Sequence, residues 1–216
     1  MVMDLIRKQI SKVTKDPGSE EALRARLGQL AGQQGRSVPE EDFAPLIKYL
    51  SEYVESAPDL LDACLAAAES AGIAKAVRPI VRTAAQYFLE PEDYIPDEWG
   101  LLGLLDDAYL VHNLMNQVSL HHEHHAGVPL LPVSLQGATH IVRGIIGEPI
   151  IGQLDKSVAA TLGNRLVEQH LGQLAMHNQT LSFKNVSRPN GPGTWGDEWE
   201  DEVTRVAAEC GISVDF

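Results

Sequence analysis

Apolar residues along this chain recur at steps of three and four, the period of an α-helix with one buried face. Val2, Leu5, Ile6, Ile10 and Val13 make the first such stripe, and Asp16-Pro17-Gly18-Ser19 stops it. Ser19 can cap a second helix that carries Leu23, Leu27 and Leu30 on one side. After a linker over 32–36, Pro39, Glu40 and Glu41 open a third, where the helix macrodipole favours acids. Its face is Phe43, Leu46, Ile47, Leu50 and Val54. Pro58-Asp59 starts another helix, rich in Leu and Ala and ended by Gly72, and a further one covers about 74–89. Glu98 to about His125 reads as one long helix, with Gly100 and Gly103 weakening its first turns. Helices over about 133–146 and 150–176 follow. A short terminal helix carries Trp199, Val203, Val206 and Cys210 on one stripe, which is expected to dock on the body.

Alternation of the β-strand kind is nearly absent, and no repeat of 20–50 residues is apparent. The pattern therefore predicts an all-α, multi-helix bundle with a central helical hairpin. Residues 1–184 form the helical domain, with the hairpin at 86–114, and 185–216 are a Pro/Gly/Asn-rich loop and the docked terminal helix. A chain of 216 residues can bury a substantial core without disulfides or structural metal. Its net charge of −13 repels nucleic acid and anionic lipid, and no Lys/Arg cluster reverses that. Cys64 and Cys210 lie far apart and outside any CxxC spacing, so they are expected to be small buried hydrophobes. The first residues lack the layout of a signal peptide. The longest uncharged stretch, 126–142, is broken by Pro129, Pro132 and His140 and is shorter than the ~20 residues of a membrane span. The expected location is the cytoplasm.

Candidate chemistry concentrates in two places. The first is an acidic turn: a helix runs into Pro91, the chain turns through Asp93 and Pro96, and a helix restarts after Asp97. Asp93 can close an Asx turn, and Asp97 can cap the new helix. Gly103 and the pair Asp106-Asp107 follow. Pro91, Asp93, Ile95, Pro96, Asp97, Gly103, Asp106 and Asp107 stand in the order P-x-D-x-I-P-D, then Gly, then paired Asp. This stretch resembles the YkvA-like family of domains of unknown function. The resemblance covers about 30 residues, implies a helical hairpin, and brings no activity with it. Family members often continue with membrane-like apolar sequence, whereas here His112, Asn113, Asn116 and Gln117 make the helix polar, which argues against membrane association.

A hairpin that brought Asp93 and Asp97 toward Asp106 or Asp107 would offer the oxygen ligands that Mg²⁺, Mn²⁺ or Ca²⁺ prefer. The competing reading makes Asp93 and Asp97 turn and cap residues. Asp106 and Asp107 would then pair with Arg78, Arg82 or backbone N–H groups across the hairpin. The second place is the histidine cluster. All eight histidines lie between 112 and 177, and four of them crowd into His121-His122-Glu123-His124-His125. His121 and His125 are one helical turn apart, as in a zinc-binding HxxxH pair, with His140, His170 and His177 as further candidates. The order is not His-Glu-x-x-His, and histidines near a helix C-terminus also suit its dipole.

No nucleophile motif and no glycine-rich phosphate loop is present. Three functions are consistent with these residues. The first is a non-catalytic helical interaction or regulatory protein with a protein partner. The second is a metal-dependent, hydrolase-like enzyme whose divalent ion is held by Asp93, Asp97, Asp106, Asp107, His121 and His125. The third is a peripheral membrane protein. Their weight rests on how the acidic hairpin neutralises its carboxylates.

Overall fold

The computed structural model describes residues 2–90, 94–132, 136–163 and 197–212. Among them the protein is all-α, a multi-helix bundle with no strand. The helices are α1 (Val2–Thr14), α2 (Glu21–Gln33), α3 (Ala44–Ser70), α4 (Ala74–Tyr87), α5 (Leu104–Ala126), α6 (Gln136–Ile146), α7 (Ile150–Leu162) and α8 (Asp197–Glu209), with short 3-10 turns at Glu40–Phe43 and Asp97–Trp99. Two helices organise the rest. α3 packs against α1, α4, α5 and α8, and α5 packs against α3, α4, α6 and α7. Residues 104–112 of α5 are all buried, polar ones included, as befits a helix walled in by neighbours on every side. No helix among the described residues is long and apolar enough to cross a membrane.

The stripes read from sequence supply the core. Ile6, Ile10, Leu23, Leu27, Leu46, Leu50 and Val54 are all buried, as are Val203 and Val206 on α8 and Cys210 just after it. Arginines join helix ends across the bundle. Arg26 donates from Nε to the Ile145 carbonyl (2.8 Å) and from Nη2 to that of Ile146 (3.3 Å), at the last turn of α6. Arg36 donates to the Ala208 carbonyl at the end of α8 (2.8 Å). A guanidinium suits these positions because the final carbonyls of a helix lack ladder partners and carry its negative dipole.

Several local expectations are corrected. Pro58 does not start a helix; it lies inside α3, which runs unbroken from Ala44 to Ser70. Proline has no N–H to give to the preceding turn and its ring crowds it. In that turn the Tyr53 carbonyl is met from outside the helix ladder, by Ser56 Oγ at 2.8 Å and His112 Nε2 at 3.1 Å. Ser19 does not cap α2, which begins without a side-chain cap; Ser19 is buried, and its carbonyl accepts the Leu101 N–H at 2.8 Å. Glu98–His125 is not one helix either. A 3-10 turn ends at Gly100 in the left-handed region (φ +64°), and α5 begins only at Leu104. A Cβ on Gly100 would lie 2.5 Å from the Ser19 oxygen, and one on Gly103 2.5 Å from the Pro96 oxygen. Backbone crosses backbone at both points, and only glycine lets it approach so closely. α6 begins at Gln136, and α7 is described as far as Leu162, so the remainder of the expected helix to 176 and the loop 185–196 lie outside the described residues.

Candidate functional site

In the described part of the acidic turn, the paired aspartates are buried. Asp106, in the first turn of α5, is fully buried, and its Oδ2 accepts the backbone N–H of Ile95 at 3.1 Å. The carboxylate therefore ties the incoming chain to the helix start, where the macrodipole also favours it. Asp107 is buried beside it. Asp97 lies at the surface and accepts a hydrogen bond from Gln9 of α1 (3.3 Å), so its side chain does not cap a helix. Arg78 pairs with Glu69 at 3.2 Å rather than with the aspartates. Asp93 is outside the described residues, as are His170 and His177.

The histidine cluster forms the last turns of α5, which ends at Gly127 in the left-handed region. The His121 and His125 rings meet edge to face, centroids 4.6 Å apart, and those of His124 and His125 at 5.0 Å. His122 is buried and its Nδ1 is 2.9 Å from the Val128 carbonyl, so it holds the chain reversal after the helix. His112 has a different place, wholly inside the core against α3. Its ring stacks on Tyr53 (3.8 Å, 20°), and its Nε2 lies 3.2 Å from Ser56 Oγ. Burial pushes its pKa down to about 3, with the Tyr53 carbonyl pulling weakly the other way, so it is a neutral core side chain. Among the described residues no three His, Cys, Asp or Glu side chains come together so that they could hold a metal ion.

Polar groups meet around open space elsewhere, between α5, α6 and α7. A cleft of about 430 Å³ opens there. α5 lines it with Tyr109, Asn113, Asn116 and Gln117, α6 with Thr139, His140 and Arg143, and α7 with Asp155, Val158, Ala159 and Leu162. Each set follows the three- and four-residue step that puts side chains on one helix face, so three helical faces converge.

Asp155 is the hub of the cleft floor. Its Oδ1 accepts the Tyr109 hydroxyl at 2.7 Å and Asn113 Nδ2 at 3.1 Å, while its Oδ2 accepts Arg143 Nη1 at 2.6 Å. The same Nη1 reaches the Tyr109 oxygen at 2.9 Å. The tyrosine hydroxyl donates to the carboxylate and accepts from the guanidinium, whose Nη2 also lies 3.9 Å from Glu148 Oε1. Tyr109 is buried, and burial first, then its bond to Asp155 and that group's charge, raise its pKa and keep it a donor. Arg143 and Asp155 are only partly covered, with side-chain exposures of 43% and 34%, so their pairing is screened. Asn113, Asn116, Gln117 and His140 stand out one by one in the sequence, whereas Arg143 and Asp155 carry no local mark of the site. The available signal was the repeated polar step on three successive helices.

Comparison of the chain with protein-family models, with characterised proteins and with solved structures finds no match.

Proposed function

We propose that this chain is a non-catalytic helical binding protein whose ligand, a small polar molecule, sits in the cleft between α5, α6 and α7. One observation carries this reading: a hydrogen-bonded floor of Asp155, Arg143, Tyr109 and Asn113 under an open volume of about 430 Å³, within the usual range for small-molecule sites. A floor of that kind fixes the shape of a site before any ligand arrives, which lowers the ordering cost of binding. Support for binding rather than catalysis comes from how its groups are used. The tyrosine holds its proton, the carboxylate accepts three donors, and the guanidinium is paired, so none is poised as base or nucleophile. A metal-dependent reading would draw on Asp106, which already accepts the Ile95 amide, and on His121 and His125, whose rings meet edge to face.

The test is a fragment screen by ligand-observed NMR on the full chain, repeated on Ala159→Phe. Ala159 lines the cleft at an exposed position, so the larger side chain occupies the cleft without entering the core. Hits that bind the natural chain and are lost in the variant support the reading. A screen without hits, or hits indifferent to the substitution, removes it.

A further inference from the structure

We infer that the ligand of this cleft is an uncharged planar heterocycle with an amide-like edge, of the nucleobase class, an inference that rests on the binding role proposed above. Charge in the cleft disfavours an anion. Among the described residues the ionisable ones lining the cleft are Tyr109, His140, Arg143 and Asp155, and the last two offset each other at 2.6 Å. The guanidinium is thus already neutralised from within, and a phosphate or carboxylate would have to displace Asp155 from Arg143, Tyr109 and Asn113 together.

The walls of the cleft divide by polarity. α5 presents Asn116 and Gln117, and among the described residues neither carboxamide bonds to another group. Each offers a donor and an acceptor side by side. Such a pair is matched by a ligand edge that also alternates donor and acceptor, which is how these side chains read the edges of bases. Above Asp155, α7 presents the opposite character, with Val158, Ala159 and Leu162 forming a wall without polar side-chain atoms. A sugar, with hydroxyls around its whole rim, would leave some of them against that wall. A hydrocarbon would leave the carboxamides covered and unmatched; both arrangements cost binding energy. A flat ring satisfies both walls, laying its face on α7 and turning its polar edge to α5.

The experiment is isothermal titration calorimetry of the full chain with adenine, hypoxanthine and uracil, and in parallel with glucose, citrate and inorganic phosphate. Gln117→Leu, Asn116→Leu and Ala159→Phe are titrated alongside. The expected result is that at least one base binds, that each Leu substitution weakens it about tenfold, and that Ala159→Phe abolishes it. Gln117 and Ala159 are exposed, so those two variants keep the fold whether or not Asn116→Leu does. If glucose, citrate or phosphate binds more tightly than every base, and Ala159→Phe abolishes that binding, the ligand class is overturned while the cleft remains a site. If no probe binds, or binding survives Ala159→Phe, the cleft reading falls as well.

Discussion

Helix α5 carries two kinds of polar site. Asp106 and His112 are sealed: the first answers the Ile95 backbone amide, the second a turn of α3, and both are buried. Tyr109 and Asn113, on the same helix, belong to a network that reaches Asp155 and Arg143 and floors a cleft. The sealed groups each have a partner whose identity is fixed by the fold, so their work is finished once the chain has folded. The open ones satisfy one another first and leave carboxamides beyond them for something else. The presence of carboxylates or histidines therefore says little about function here. What distinguishes the two sites is whether the polar groups, once paired, still border a volume.

The comparison is tested hardest by acidifying the protein. The unfolded chain protonates His112 near the ordinary 6.5, the folded chain only near 3. Unfolding therefore takes up a proton between those values. The stability owed to a neutral His112 is complete above about pH 6.5 and is lost as pH falls toward 3, by roughly 4 kcal/mol at the low end. His112→Phe keeps a ring against Tyr53 and cannot titrate, so its urea-unfolding stability should decline less steeply from pH 7 to pH 4 than that of the natural chain. Equal slopes would mean that His112 is not sealed. Next in size is Asp106. In Asp106→Ala the Ile95 N–H loses its acceptor inside the core, and a loss of about 3 kcal/mol is expected in urea unfolding at pH 7. Asp106→Asn retains an acceptor oxygen and should lose about 1 kcal/mol. Neither change should alter binding in the cleft, since Asp106 does not line it.

The helices were legible because their apolar stripes are strong, and even the docking face of α8 could be read from Val203 and Val206, with Cys210 just after it. The errors fall where a distant residue supports or crosses the backbone. Pro58 looks like a helix start until His112, 54 residues later, is seen beside the turn that the ring crowds. Gly100 and Gly103 look like weak helix formers until the Ser19 and Pro96 oxygens are found against them. The acidic turn was half legible: a backbone N–H partner for Asp106 was one of the alternatives the sequence offered, and Ile95 lies only 11 residues away. Much of the ordered spacing around that turn has a structural job here, with Gly103 allowing the backbone crossing and Asp106 holding Ile95. The cleft was illegible as a site because its hub joins α7 to residues 46 and 42 positions earlier on α5, and no local pattern announces such a meeting.

The smallest stability effect belongs to the open site, and it is the one that separates the two kinds most directly. Asp155→Ala removes an acceptor from Tyr109, Asn113 and Arg143 at once. Counted as three lost bonds the change looks worse than Asp106→Ala, which takes the acceptor from the Ile95 N–H. The environment reverses that order: Asp155 and Arg143 are partly exposed, water can replace the lost acceptor, and the ion pair is screened. A cost of about 1 kcal/mol is therefore expected for Asp155→Ala in urea unfolding at pH 7, less than for Asp106→Ala. Its larger consequence lies in the cleft, where Arg143 loses its nearest carboxylate and keeps Glu148 at 3.9 Å, so the site gains positive charge. Ligand preference should then shift from neutral molecules toward carboxylates and phosphates, read by the same calorimetry. A stability loss above that of Asp106→Ala would show that the network holds the fold together and is no more open than the acidic turn.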